Sequence, residues 1–205
     1  MSRFMCERFR LGALCVGLVL AGLVPFGGPH FVRADEGIST PASSMNETSV
    51  IVAFGRGHIA EGHYEPVLMI VRLGYDLKNL YPRLHDHTGS LSVYVEPQVN
   101  PVIGPENDFE FGVGLGVKYM HPLAGPLSGY VFASVGPHYI SVVTEDQENG
   151  FIFSDTAGVG LSWFLTEKSA LTVEYRFRHM SNADLAKPNG GMDCHFGAVG
   201  YSLFF

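Results

Sequence analysis

A histidine, a serine and an aspartate in the last quarter of the chain are the residues whose types could do chemistry together: His179, Ser181 and Asp193. An imidazole beside a hydroxyl can take its proton, and a carboxylate can orient the imidazole and stabilise its charged form. His195 is a competing candidate for the base. Other reactive side chains offer less. Cys194 is the one cysteine beyond the first 34 residues, so neither a disulfide nor a cysteine zinc site can be built there. The run His85-Asp86-His87 resembles a set of metal ligands, but it lies in a turn, and neighbours in an extended chain point to opposite sides, so no metal site is expected. The chemistry of a hydroxyl, an imidazole and a carboxylate calls for no metal or organic cofactor.

Whether the three can meet depends on the strands that carry them. Residues 169 to 181 alternate: Leu171, Val173, Tyr175 and Phe177 form an apolar face, and Thr172, Glu174, Arg176 and Arg178 a polar one. Extending that parity puts His179 and Ser181 on the apolar face. In the last strand Val199, Tyr201, Leu203 and Phe205 share a face, and Asp193 has the same parity. If the loop from Asn182 to Met192 closes symmetrically, Asp193 lies opposite Ser181 and diagonal to His179, within the roughly 5 to 8 Å of cross-strand neighbours. Glu174, Arg176 and Arg178, on the other face, are expected to form an internal salt-bridge network.

The period-two pattern recurs throughout. From Phe109 to Tyr119, apolar residues alternate with Glu110, Gly112, Gly114, Gly116 and Lys118. Eight such runs are predicted, at about 48-60, 64-77, 90-100, 109-120, 128-142, 150-164, 169-181 and 193-205, separated by turn-rich segments such as TEDQENG and NADLAKPNGGM. A face this greasy, opposite one of small and charged residues, does not suit a two-layer soluble core. It suits an all-β fold, an eight-stranded antiparallel transmembrane β-barrel, whose closure pairs every backbone group. Val113-Gly114-Leu115-Gly116, Val159-Gly160-Leu161-Ser162 and Val199-Gly200-Tyr201-Ser202 each put small residues inward, as a narrow barrel requires. A soluble lipocalin-like barrel is the competing fold.

The N-terminus reads as a secretory signal peptide. Arg3, Arg8 and Arg10 precede an apolar run from Leu11 to about Phe26, and Val32-Arg33-Ala34 is a cleavage pattern. The expected organisation is a cleaved segment 1-34, an N-terminal extension 35-47 and the barrel 48-205. Losing Arg3, Arg8, Arg10, Arg33 and Glu7 takes 13 Lys+Arg and 20 Asp+Glu to 9 and 19. So acidic a chain, with scattered cations, is a poor partner for nucleic acid. With both termini periplasmic, the loops after the first, third, fifth and seventh strands face the cell exterior, and the site lies where headgroups give way to acyl chains. The segment KNLYPRLHDHTGS is long for a periplasmic turn.

The segment His179-Met180-Ser181-Asn182-Ala183, with Lys187-Pro188-Asn189 and Gly191, resembles the active-site signature of the lipid A 3-O-deacylases, the PagL family, specifically over residues 174 to 205. The resemblance implies an eight-stranded outer-membrane barrel with its site on the outer wall. It implies His179 as general base, Ser181 as nucleophile and Asp193 as the acid, where glutamate is usual in the family and aspartate is one methylene shorter. Asn182, Asn189 and backbone N-H groups around Ala183 become candidates for an oxyanion hole, the asparagines being equally suited to shaping the loop. It further implies lipid A, or lipopolysaccharide, as substrate, reached through outer-membrane lipid, and leaves a homodimer possible. A non-catalytic structural or adhesive barrel, and an acyltransferase or phospholipase acting on another lipid, remain alternatives.

Overall fold

The computed structural model describes residues 46-205; the expected cleavage after Ala34 and nearly all of the extension lie outside them. Nine strands form one closed antiparallel sheet: β1 Glu47–Ile59, β2 Gly62–Tyr64, β3 Val67–Asp76, β4 Ser90–Val102, β5 Asp108–Ala124, β6 Leu127–Ile140, β7 Gly150–Thr166, β8 Ser169–Ser181 and β9 Met192–Phe204. β2 and β3 both pair with β1 and are two pieces of one stave, so the barrel has eight staves. Pairing of β1 with β9, from Glu47 opposite Phe204 to Gly57 opposite Cys194, closes it.

The interruption falls at Glu65-Pro66. Proline has no N–H to give to a ladder, and Pro66 forms only an isolated bridge to Val102. Between the first two expected strands the segment HIAEGHYE forms a tight hairpin in which Gly57, His58 and Ile59 pair with Tyr64, His63 and Gly62. The long segment after β3 is compacted by two 3-10 turns, Leu77–Asn79 and Pro82–Leu84. Asp76 accepts from the backbone N–H of Lys78 at 2.8 Å, Lys78 Nζ donates to the carbonyl of His87 at 2.7 Å, and His85 Nε2 bonds the carbonyl of Lys78 at 3.0 Å.

The two faces separate as the alternation requires. Outside, Leu115, Val131, Val159, Trp163, Leu171, Val173 and Val199 are all more than 40 % exposed, far more contiguous apolar surface than a water-soluble monomer shows. Inside, the cylinder is filled. Arg72 and Arg176 each reach both Glu96 and Glu174, and Arg178 grips Glu110, which also accepts from Tyr64 Oη. Tyr94 and Phe132 pack against these cations, with Arg72 4.9 Å from both ring centroids, and Tyr130 beside them donates to Glu174 and lies under Lys118. Space for the rings comes from the inward glycines: a β-carbon at Gly116 would lie 2.4 Å from Tyr94 Cζ, and one at Gly160 2.3 Å from Tyr130 Cζ. Toward the end away from Glu47 and Phe204, Ile140, Ile152, Met180, Met192, Cys194 and Phe196 pack an apolar plug around the Arg178-Glu110 pair.

Candidate active site

β8 and β9 are shifted by two residues from the register that symmetric loop closure would give: Asp193 stands opposite His179 rather than Ser181, and the ladder ends at Met180 opposite Met192, after the left-handed turn at Gly191. His179 and Asp193 point away from the interior, while Arg178, Met180 and Cys194 beside them are buried. His179 Nδ1 lies 2.7 Å from Asp193 Oδ1, a direct imidazole-carboxylate contact on the outer wall. Its ring therefore has Nε2 left for another partner. Ser181 shares the outward parity and ends β8, paired with Phe153 of β7. Among the described residues its hydroxyl makes no hydrogen bond, to His179 or elsewhere.

His195 sits one outward position closer to the apolar belt, opposite Phe177 on one side and Arg56 on the other. Its Nδ1 contacts Tyr175 Oη at 2.6 Å, so it is paired with a phenol rather than a carboxylate.

The chain from Asn182 to Gly191 is held by its asparagines. Asn182 is 2 % exposed; its backbone N–H donates to Asn189 Oδ1 at 2.8 Å and its Nδ2 to the carbonyls of Ala186 and Pro188 at 3.0 and 3.4 Å. Asn189 Nδ2 donates to Asp184 Oδ1 at 3.2 Å. Both amide nitrogens and the Asn189 oxygen are thus spent on the loop, while Asn182 Oδ1 is buried without a hydrogen-bond partner among the described residues. Ala183 and Asp184 take left-handed φ values of 51° and 63°, and neither of their N–H groups is bonded among the described residues. A hydrogen bond from Lys187, with help from Asn189, holds the Asp184 carboxyl below its ordinary pKa. The loop is tied to its neighbours: Gly190 N–H donates to the Asp146 carbonyl at 2.6 Å, Glu148 N–H to the Pro188 carbonyl at 3.0 Å, and Asp146 Oδ2 accepts from Ala60 N–H at 2.9 Å.

Several wall residues do not stand out from the sequence. Asp155 of β7 is exposed and directly opposite His179, so the imidazole has a carboxylate strand-neighbour on each side. On the other flank an open groove of about 1070 Å³ runs from His179 and Asp193 across His195 to Arg56, His58 and His63. Parity within β1 would have placed Arg56 and His58 outward; their proximity to His179 follows only from the closing β1-β9 pairing.

A barrel with an apolar outer belt, a packed interior and an imidazole-carboxylate pair on the wall belongs with the outer-membrane barrel proteins rather than the soluble ones. A family model described as lipid A 3-O-deacylase (PagL) matches residues 69–202, and the chain belongs to that family. Two solved structures share the fold. The crystal structure of the outer membrane enzyme PagL is 20 % identical, covers 76 % of this chain and 98 % of its own, and superposes with a TM-score of 0.53. That of Neisserial surface protein A is 13 % identical, covers 80 % and 98 %, and gives 0.59. No curated protein sequence matches.

Proposed function

We propose that the protein is a serine esterase that hydrolyses the ester-linked 3-O-acyl chain of lipid A in the outer leaflet of the outer membrane. Family membership supports the substrate class. The observation that carries the mechanism is the 2.7 Å contact between His179 Nδ1 and Asp193 Oδ1 on the lipid-facing wall, with Ser181 next but one along the same face. Residues two apart on a strand are separated by about 7 Å, a span that the far nitrogen of His179 and the Ser181 hydroxyl can close between them by side-chain rotation.

In this reading the termini are periplasmic and the His179 end lies at the outer surface. Ser181 Oγ attacks the ester carbonyl carbon as His179 Nε2 takes its proton, with Asp193 steadying the imidazolium. The oxyanion is received by backbone N–H groups at Ala183 and Asp184, while Asn182 and Asn189 shape the loop that presents them. Collapse of the tetrahedral species expels the sugar oxygen, which takes the proton back from His179, and leaves the acyl group on Ser181. Water then attacks, again losing a proton to His179, and the fatty acid departs as Ser181 Oγ takes that proton back.

Mass spectrometry of lipid A from cells expressing the protein tests this. Loss of one hydroxyacyl group with the native chain, and none with Ser181→Ala, is expected. An unchanged spectrum with the native chain favours a non-catalytic barrel, and a gained acyl group favours transfer; either would overturn the proposal.

A further inference from the structure

The groove beside His179 gathers a guanidinium and several imidazoles in a chain that is acidic overall. Its lining includes Arg56, His58, His63 and His195, against the carboxylates of Asp193, engaged by His179, and Asp146, engaged by the backbone of Ala60. Arg56 is unlike the other cations of the barrel. Arg72, Lys118, Arg176 and Arg178 are buried in ion pairs with Glu47, Glu96, Glu110 and Glu174, and Lys187 is paired with Asp184. Lys78, Arg83 and Lys168 lie at the end that carries Glu47 and Phe204. Arg56 is exposed on the outer wall near the opposite end, and among the described residues it has no carboxylate partner.

The pairing places it with some care. Arg56 is opposite His195, and His58, the next outward residue of β1, faces His63 with their ring centroids 5.8 Å apart. If the Tyr175 phenol donates to His195 Nδ1, the ring proton sits on Nε2, which becomes a further N–H donor. β1 is separated from β8 by β9, so Arg56 lies two strand spacings, about 10 Å, to the side of the His179 strand. The flexible guanidinium arm spans much of that interval. On the other side of Ser181 the wall is aromatic, with Phe153 directly opposite and Phe151 edge-on to it at 5.0 Å.

An amphiphile whose ester lies at Ser181 thus has an aromatic surface on one side and an unpaired guanidinium among imidazoles on the other. We propose that Arg56, with His58 and His195, binds a phosphate ester on the sugar headgroup of the substrate, and so orients the headgroup over β9 and β1. The site rests on the esterase reading for the identity of its ligand. A guanidinium can meet phosphate oxygens with two parallel hydrogen bonds, which fixes orientation as well as adding affinity.

The test is a binding titration of the Ser181→Ala protein in neutral detergent micelles. The ligands are a diacylated glucosamine 1-phosphate, the same lipid without its phosphate, and inorganic phosphate alone. The phosphorylated lipid should bind about tenfold more tightly than its counterpart, a margin of one charge-assisted hydrogen-bond pair. Arg56→Gln should erase that preference and Arg56→Lys should keep part of it, with both variants retaining the heat-modifiable gel mobility of a folded barrel. Inorganic phosphate alone should bind far more weakly, having no acyl chains. Equal binding of the two lipids, an undiminished preference in Arg56→Gln, or inorganic phosphate binding as tightly as the lipid would overturn the proposal. Hydrolysis by the Ser181 protein is scored in parallel. Hydrolysis without phosphate preference sinks the anion site alone, whereas preference without hydrolysis sinks the esterase reading alone.

Discussion

Gly191 is the surface against which His179 rests: a β-carbon there would stand 2.9 Å from His179 Cε1 and 3.4 Å from Nε2, and its φ of +74° is one that other residues rarely adopt. The glycine therefore serves the imidazole twice, by leaving room for the ring and by letting the chain turn from the loop into β9.

Gly191→Ala should displace the imidazole while leaving the staves intact. Misplacing a reacting group by about 1 Å can cost about 100-fold in rate, and the left-handed backbone adds about 1 to 2 kcal/mol of strain. Fatty-acid release from purified lipid A should fall by at least tenfold, with heat-modifiable gel mobility unchanged. Full activity would mean that the ring position is not critical.

The two carboxylates beside His179 should be unequal. Asp193 contacts Nδ1 at 2.7 Å, whereas Asp155, though opposite His179 in the β7-β8 register, makes no hydrogen bond to it. Replacing the acid of a triad by its amide lowers kcat by about 10⁴ in the best-studied hydrolases, so a fall of that order is expected for Asp193→Asn. Asp155→Asn should change kcat only slightly. The reverse ranking would reassign the acid.

Asn182→Ala removes both Nδ2 hydrogen bonds from the buried anchor of the 182-191 loop, orphaning the carbonyl of Ala186 and leaving that of Pro188 with Glu148 N–H alone. Each lost buried partner costs about 1 to 3 kcal/mol. Limited proteolysis should cut between residues 183 and 190 faster in the variant, and kcat should fall more than apparent lipid affinity. A loop as resistant as the native one would contradict this.

Glu174→Ala leaves the guanidiniums of Arg72 and Arg176 short of a counter-charge, and leaves Tyr130 Oη without its acceptor. Breaking a buried ion pair from one side typically costs about 3 to 5 kcal/mol. The barrel should lose its folded gel mobility at a clearly lower temperature. Deacylation measured well below that temperature should persist, because the damaged network lies behind the catalytic wall rather than on it.

The alternation of residues carried most of the barrel. Glycine and charge against aromatic and aliphatic side chains, as in Phe109 to Tyr119, fixes which side faces lipid, and the strand ends fall within a few residues of the expected ones. Where local pattern misled, the cause was local chemistry. Pro66 breaks the second stave, expected as one run over 64-77, and Gly62, at φ +126°, lets the chain turn tightly between the first two strands.

The candidate site divides along the same line. His179, Ser181 and Asp193 could be put on one face from parity, but their register across the loop could not be read: Asp193 stands opposite His179, two residues from the Ser181 partner that symmetric closure implies. Asp155, Arg56 and His58 could not be joined to them, since their placement depends on pairings separated by long stretches of chain or on closure of the first strand against the last. The asparagines illustrate a third limit. Asn182 and Asn189 are the same residues whether they face substrate or loop, and the direction of each amide is set only by the folded backbone.

The filled interior has a consequence for the cell. With Arg72, Arg176 and Arg178 each at most 2 % exposed and a hydrophobic stopper at one end, the cylinder offers solutes no passage. A bacterium could make this protein in quantity and alter the lipids of its surface without weakening the permeability barrier those lipids provide.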